Sequence, residues 1–173
     1  MIILGIGSNL SSNFGDRFKN INLAVLYLEN YGIKVVKRSS FYETPSYPNK
    51  NNPKFINIII EVKTSLPPVD LVSVLLFIEN RLERKRDKKN EPRTCDIDVV
   101  DYNSQVLDFK YKDSDFHIPH KKLALRNFVL IPLMEIISDW QHPETKEHIG
   151  FLIDKLTEDE KNSILKIRKN WYN

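Results

Sequence analysis

The chain has little cysteine and little glycine, and it has no long apolar run. Cys95 is the single cysteine, so the sequence excludes an internal disulfide and a cysteine-based zinc cluster. No apolar stretch approaches the ~20 residues that a membrane helix needs, and no basic region precedes the apolar start as in a signal peptide. We therefore expect a cytoplasmic protein with no membrane partner.

The glycine-rich phosphate loop of P-loop enzymes is also missing. Its pattern, two glycines separated by four other residues and followed by Lys and Ser or Thr, occurs nowhere in the chain. The segment "GIGSNL" near the start carries two glycines without a lysine, which is weak evidence for nucleotide binding. Any phosphate site must therefore be built from other residues.

What the chain does have is an ordinary globular composition with one concentrated basic segment. Its 173 residues, 41% hydrophobic and 28% charged, suit one domain spanning 1–173. The net charge of +3 is too small to indicate nucleic-acid binding. However, the segment "RLERKRDKKNEPR" at 81–93 holds seven basic and three acidic side chains, a local balance of +4. Such a segment suits a polyphosphate ligand or is simply a solvated face.

The pattern of apolar residues and turn signals predicts a βαββαβ order. Strands are predicted at 2–6, 34–44, 55–63 and 94–102, and helices at 16–31 and 67–82. We also expect a hairpin turn at 103–104 into a strand at 106–109, helices around 127–137 and 149–156, and an edge strand at 163–168. This order is typical of an α+β, ferredoxin-like fold, an antiparallel sheet with helices on both faces.

Two aspartates in "EPRTCDIDVVDYN" lie on one of these strands. Because side chains alternate between the faces of a strand, Asp96 and Asp98 share a face, ~6–7 Å apart at Cα, while Cys95, Ile97 and Val99 point into the core. Carboxylate oxygens are the ligands that Mg²⁺ prefers, and such a pair could hold one or two metal ions. The alternative is an exposed polar strand face without a metal.

Basic side chains surround this strand in the sequence. Arg84 and Arg86 follow the second helix, and Arg93 precedes Asp96 by three residues. Guanidinium groups bind phosphate oxygens in bidentate geometry. His120 and Arg126 could also touch phosphate. The alternatives are helix capping and surface ion pairs with nearby acids, namely Glu79, Glu83 and Glu91.

A third group of side chains suits a planar heterocycle. Aromatic rings stack on such a ligand, and an amide can both donate to and accept from its edge. Core packing is the alternative interpretation of the aromatic members. The candidates are Thr44, Pro45, Phe55, Asn57 and Phe128.

Taken together, these segments resemble the 6-hydroxymethyl-7,8-dihydropterin pyrophosphokinase family of folate biosynthesis. The resemblance runs from "IGSNL" to His142-Pro143 and is most specific in "PRTCDID" and in "IPHKKLALRNFVLIPLMEI". It also includes "SSFYETP", "FINIIIEV" and "IENRLERKR" in the expected order. The family has a ferredoxin-like core, in agreement with the strand order above.

The resemblance implies transfer of the terminal diphosphate of ATP to the pterin hydroxymethyl group, with release of AMP. It implies two Mg²⁺ ions on Asp96 and Asp98, with Arg84 and Arg93 as loop arginines that approach the phosphates, and these four are the predicted catalytic residues. It further implies ATP as co-substrate and a monomer that acts on small molecules. The remaining implied ATP contacts are Glu79, Arg86, His120 and Arg126.

The resemblance also implies that Phe55 and Phe128 sandwich the pterin, with Thr44, Pro45 and Asn57 around it. The sequence departs from the family at three places. Asn90-Glu91 replaces Trp-Gly in a loop one residue shorter, Lys121 stands where a tyrosine often follows the histidine, and Asp115 and His117 replace a basic and a hydroxyl residue.

Two other functions remain as alternatives. A nucleotidyltransferase could use the same aspartate pair and would release pyrophosphate, although nearly ninety residues separate its Gly7-Ser8 from Asp96. An RNA-binding domain has the same strand order, but it needs aromatic residues on a central strand. The strand here carries aspartates, which repel a phosphate backbone.

Overall fold

The computed structural model describes residues 1–86, 91–112, 114–120 and 122–168. No helix within those ranges is long and apolar enough to cross a membrane. A single 3₁₀ turn at Leu123–Leu125 precedes α3. The elements in chain order are β1 (Ile2–Ser8), α1 (Arg17–Asn30), β2 (Lys34–Arg38), β3 (Phe41–Thr44), β4 (Phe55–Lys63), α2 (Pro68–Arg81), β5 (Asp96–Tyr102), β6 (Leu107–Tyr111), β7 (Ser114–Ile118), α3 (Asn127–Ile136), α4 (Ile149–Asp154), α5 (Glu158–Asn162) and β8 (Leu165–Ile167).

The main sheet is antiparallel and confirms the ferredoxin-like prediction. Its strand order is β5-β1-β4-β3-β8, with β2 also paired to β4. The strands therefore follow the order fourth, first, third and second of the predicted βαββαβ unit. A separate two-stranded sheet is formed by β6 and β7.

Local signals explain where the two longer helices begin and end. Asp16 caps α1 by accepting a hydrogen bond from the backbone N–H of Lys19 at 2.9 Å. Gly32, at φ +74°, ends α1 in a left-handed conformation that costs glycine little. Pro68 opens α2, as expected for a position whose N–H would have no partner inside the helix.

Both faces of the sheet are covered, as predicted. The face toward α1 and α2 carries alternate residues of the central strands, among them Leu4, Ile58 and Val99. The opposite face packs Ile3, Ile59 and other side chains against α3 and α4. Each such fully buried aliphatic side chain contributes about 1.5–3 kcal/mol relative to an exposed one.

The prediction of one strand over 34–44 is wrong, because the chain breaks it into β2 and β3 at Ser39-Ser40. The Ser39 hydroxyl accepts the Ile59 N–H at 2.9 Å, and the Ser39 N–H donates to the Ile59 carbonyl at 2.9 Å. Ser40 instead turns toward Glu135 of α3. Small hydroxyl side chains can replace ladder hydrogen bonds in this way, which a pattern of β-branched residues does not reveal.

The predicted hairpin between β5 and the following strand is also wrong. Asn103 and Ser104 do form a turn with positive φ, but Ser104 N–H donates to the Asp101 side chain and Asn103 N–H donates to the Met1 carbonyl. The turn therefore ties the chain to β1, and β6 pairs with β7 rather than with β5. The strand predicted at 106–109 does exist as β6, but its partner is β7.

Glu135 gives the first testable prediction. Its carboxylate accepts hydrogen bonds from the Ser40 and Tyr42 hydroxyls, both at 2.8 Å, and from Lys166 at 3.0 Å. Partial burial would raise the pKa of Glu135, but these hydrogen bonds outweigh burial and hold the pKa below its usual 4.5. A carboxyl with a depressed pKa stabilises the fold above its unfolded-state pKa, and this stabilisation disappears as pH falls through the folded-state pKa.

We therefore expect Glu135→Gln to lower the free energy of unfolding by about 1–2 kcal/mol at neutral pH. The difference from the unmodified chain should shrink as pH falls below 4.5. Urea denaturation over a pH series measures both effects. Glu29→Gln, which changes an exposed carboxylate of α1, is the control. A difference that does not change with pH would contradict the role of the ionised carboxylate.

Candidate active site

The floor of the candidate site is one face of the main sheet at Gly5 and Gly7 of β1. These two positions, which carry no side chains, are called the glycine gap. Gly5 pairs with Asp98 and Gly7 pairs with Asp96, so the glycines lie on the same face as the two aspartates. A Cβ at Gly7 would lie only 2.9 Å from Oδ1 of Asn57 on the other side. Without a side chain, Gly5 stays partly exposed beside Asp98, whereas the Asn57 amide and the Phe55 ring lie over Gly7. The open strip at Gly5 and the two aspartates is called the groove.

Three arginines lie against the two carboxylates. Asp96 forms ion pairs with Arg84 and with Nη1 of Arg93, the latter at 3.0 Å. Asp98 lies 3.4 Å from Nη1 of Arg126. The predicted catalytic residues, together with Arg126 of the predicted ATP-binding set, are thus brought together at one end of the sheet. Because the like charges of the aspartates repel, the guanidinium groups stabilise this arrangement.

Glu79 anchors this cluster from below. Its side chain is 2% exposed, forms ion pairs with Arg84 and Arg86, and accepts the backbone N–H of Ile97 at 2.7 Å. Burial raises the pKa of Glu79 to about 7, with Arg84 opposing the shift and Asp96 adding to it. The carboxylate thus holds two arginines and the start of β5 at once.

Asp98 and His120 differ from ordinary surface groups. The Asp98 side chain keeps 48% of its area exposed because it faces a cavity, yet the surrounding protein desolvates it. That desolvation, then the charge of Asp96, raise the pKa of Asp98, and arginines oppose the shift. Burial and then Arg126, 3.0 Å from Nε2 of His120, lower the pKa of His120 and favour the neutral imidazole.

The cavity beside Asp98 has a volume of about 480 Å³ and lies between α2, β5 and the β6–β7 sheet. Its walls combine aliphatic side chains of α2 and β5 with the ring of Phe116. Asp115 and His117 line it as well, and Nδ1 of His117 lies 2.7 Å from Oδ1 of Asp108. A cavity of this size, lined by apolar side chains and by six ionisable ones among the described residues, suits a small heterocyclic ligand with polar groups.

Of the residues predicted to hold a heterocycle, Thr44, Phe55 and Asn57 lie on β3 and β4, across β1 from the aspartates. Phe128 lies in the first turn of α3. Asn57 donates to the Thr44 hydroxyl at 2.9 Å, and both side chains are buried. The Arg93 guanidinium lies 5.4 Å from the centre of the Phe55 ring, and the Arg126 guanidinium lies 5.5 Å from the centre of the Phe128 ring. Each aromatic candidate is therefore next to a phosphate-binding candidate.

The donor set fits a divalent cation. Asp96 and Asp98 present hard oxygen ligands on one strand face, and both side chains are partly exposed toward the groove. Sequence reasoning did not find the role of Gly5 and Gly7, although glycine at alternate positions of a central strand is a signal of an open sheet face. The predictions about Asn90 and Lys121 lie outside the described residues.

Comparison with known proteins agrees with this geometry. The family model for 7,8-dihydro-6-hydroxymethylpterin-pyrophosphokinase (HPPK) matches residues 3–138. A relative from Bacillus subtilis (strain 168), named 2-amino-4-hydroxy-6-hydroxymethyldihydropteridine pyrophosphokinase, is 37% identical over 128 residues, or 73% of this chain and 74% of the relative. The folic acid synthesis protein fol1 of Pneumocystis carinii is 34% identical over 91% of this chain, which spans only 21% of that longer protein.

A solved structure supports the same fold. The wild-type HPPK-DHPS chain of Plasmodium falciparum, determined with pteroate, superposes with a TM-score of 0.76 at 15% identity. The match covers 96% of this chain and 47% of the Plasmodium chain. At this identity the likeness concerns the fold alone, whereas the family match rests on sequence. The chain belongs to the 7,8-dihydro-6-hydroxymethylpterin-pyrophosphokinase family.

Proposed function

We propose that the chain transfers the terminal diphosphate of ATP to the hydroxymethyl group of 6-hydroxymethyl-7,8-dihydropterin and releases AMP, a step of folate biosynthesis. The observation that carries this proposal is the pair Asp96 and Asp98 on one strand face, with Arg84, Arg93 and Arg126 against it. Phosphoryl transfer depends mainly on positioning and on neutralisation of charge, and such a cluster supplies both.

Asp96 and Asp98 would hold Mg²⁺, and we propose two ions. When bound, the cations offset the negative charge of the triphosphate and of the transition state. In the structure the same carboxylates bind guanidinium groups, so each charged side chain of the site would have two alternative partners. In the second pairing the aspartates hold cations and the arginines are released to hold phosphate oxygens.

The arginines and His120 would bind the triphosphate. A guanidinium donates two parallel hydrogen bonds to phosphate oxygens. Nε of Arg93 is buried and has no hydrogen-bond partner among the described side chains and backbone, and a phosphate oxygen would supply one. Arg126 and the neutral His120 are adjacent and could bind the same phosphate. Arg86, about half exposed, would add a further contact.

The two substrates would occupy opposite sides of the glycine gap. The pterin ring would lie between Phe55 and Phe128, with Asn57 and Thr44 at its polar edge and Pro45 beside them. The adenosine part of ATP would enter the cavity next to Asp98. The pterin hydroxyl would then attack the β-phosphorus in line, and no strongly basic side chain is required because orientation carries most of the rate.

A product assay tests the proposed reaction directly. We expect ATP, Mg²⁺ and 6-hydroxymethyl-7,8-dihydropterin to yield AMP and a diphosphorylated pterin in equal amounts, separated by ion-exchange chromatography. Formation of ADP would instead indicate a simple kinase, and release of pyrophosphate would indicate a nucleotidyltransferase. Either result would overturn the proposal.

Asp98→Asn tests the metal assignment. The amide keeps the shape of the side chain but removes the charge that binds a cation, so we expect turnover to fall by roughly 100-fold or more. Circular dichroism and thermal unfolding should show an intact fold, because the side chain is half exposed. Asp154→Asn, at an exposed position of α4, is the control. Rates like those of the unmodified chain would refute a two-carboxylate metal site.

Glu79→Gln tests whether the buried carboxylate positions the arginines. Loss of the charge weakens its contacts with Arg84 and Arg86, and we expect kcat to fall by about 10–100-fold, as for other groups that orient metal ligands and their neighbours. Steady-state kinetics and thermal unfolding should be measured together. The matched control is Glu61→Gln, which removes a partly buried ion pair with Lys37 elsewhere on the sheet. Equal kinetic effects in both variants would argue against a role specific to Glu79.

A further inference from the structure

Asn9, directly after β1, is a buried amide at the junction of three chain segments. The residue is one of the least exposed polar ones described, with 2% of its area accessible. It meets the segment that leads into Asp96 and the loop at 46–53, which connects β3 to β4. Asn9 is not among the site residues inferred from the sequence.

The first set of contacts fixes the backbone of Arg93. Oδ1 of Asn9 accepts the Arg93 N–H at 2.6 Å. The backbone N–H groups of Asn9 and Leu10 both donate to the Arg93 carbonyl, at 3.0 and 3.1 Å. Both polar backbone groups of Arg93 are therefore bonded to the same short segment.

The second set of contacts fixes the loop at 46–53. Nδ2 of Asn9 donates to the Ser46 hydroxyl at 3.1 Å and to the Pro53 carbonyl at 3.0 Å. The Ser46 hydroxyl donates to that carbonyl at 2.6 Å. The amide thus ties together both ends of the loop, between Thr44 and Phe55.

We propose that Asn9 is a positioning residue that couples the pterin side of the site to Arg93. Through these bonds it sets where the Arg93 guanidinium lies relative to Asp96 and to the Phe55 ring. The amide offers a donor and an acceptor at once, whereas aspartate lacks the donor and alanine lacks both. We call the hydrogen bonds of the Asn9 side chain to Arg93, Ser46 and Pro53 the brace. The effect of Asn9 on catalysis rests on the proposed function, whereas the brace does not.

Asn20 offers a matched comparison. It is also a fully buried asparagine that braces the segment after β1, through a hydrogen bond from its Nδ2 to the Leu10 carbonyl at 2.9 Å and one from the Ser12 hydroxyl at 2.6 Å. Neither bond involves Arg93 or the loop at 46–53. A merely structural role for buried asparagines in this region would give Asn9→Ala and Asn20→Ala the same consequences.

Hydrogen exchange measured by mass spectrometry tests the brace without reference to activity. In Asn9→Ala we expect amides at 46–53 and 91–95 to exchange at least about 10-fold faster, because their shared anchor is gone. In Asn20→Ala these two segments should keep their protection. Asn9→Asp, which retains the acceptor, should preserve protection at 91–95 and lose it at 46–53. Equal exchange at both segments in all three variants would overturn the brace.

A double-mutant cycle tests the positioning. We expect Asn9→Ala to lower kcat by roughly 100-fold, as for a displacement of a reacting group by about 1 Å, with little change in KM. In an Arg93→Ala background the same substitution should lower kcat no further. Additive losses, or an equal loss in Asn20→Ala, would overturn the proposal. Failure of the proposed function would show as absent turnover in the unmodified chain, and hydrogen exchange then decides whether the brace exists.

Discussion

The repulsion between two carboxylates on one face of an edge strand is the constraint on which the rest of the site depends. The negative charges of Asp96 and Asp98 repel each other in a partly desolvated groove, so this arrangement needs positive charge close by. Arg84 and Arg93 supply it at one carboxylate and Arg126 at the other. In the proposed function each of these charges would also pair with a cation or a phosphate. The cluster would then be stable alone and still bind a polyphosphate.

Glu79, the buried acid below the cluster, would limit how far the arginines move when they leave a carboxylate for a phosphate. An arginine that left a carboxylate for a phosphate would otherwise be free to move into solvent. Glu79 retains Arg84 and Arg86 from the protein side, and its bond to the Ile97 N–H ties both to β5. Breaking a buried charge pair on one side only is costly, so such a carboxylate favours small adjustments over large ones.

The two ends of α3 have different tasks: one end lies at the candidate site, and the other stabilises the sheet. The first turn of α3 carries Phe128, two residues after Arg126, which reaches Asp98. Its last turn carries Glu135, which holds the break between β2 and β3 and the edge strand β8. The middle of the helix packs on Ile59 and its neighbours. One rigid element thus places an arginine and an aromatic ring at the groove, while its contacts at the other end keep it fixed.

The sequence by itself determined the directions of side chains and the order of the elements. Strict alternation placed Asp96 and Asp98 on one face, and prolines, glycines and capping groups marked the helix ends, because these signals are local. Tertiary structure alone decided which distant groups meet. Arg126 reaches Asp98 across 28 residues, and Asn9 reaches Arg93 across 84. The same holds for the break in the second strand and the partner of β6, since pairing between segments depends on the packing of the whole sheet and not on local periodicity.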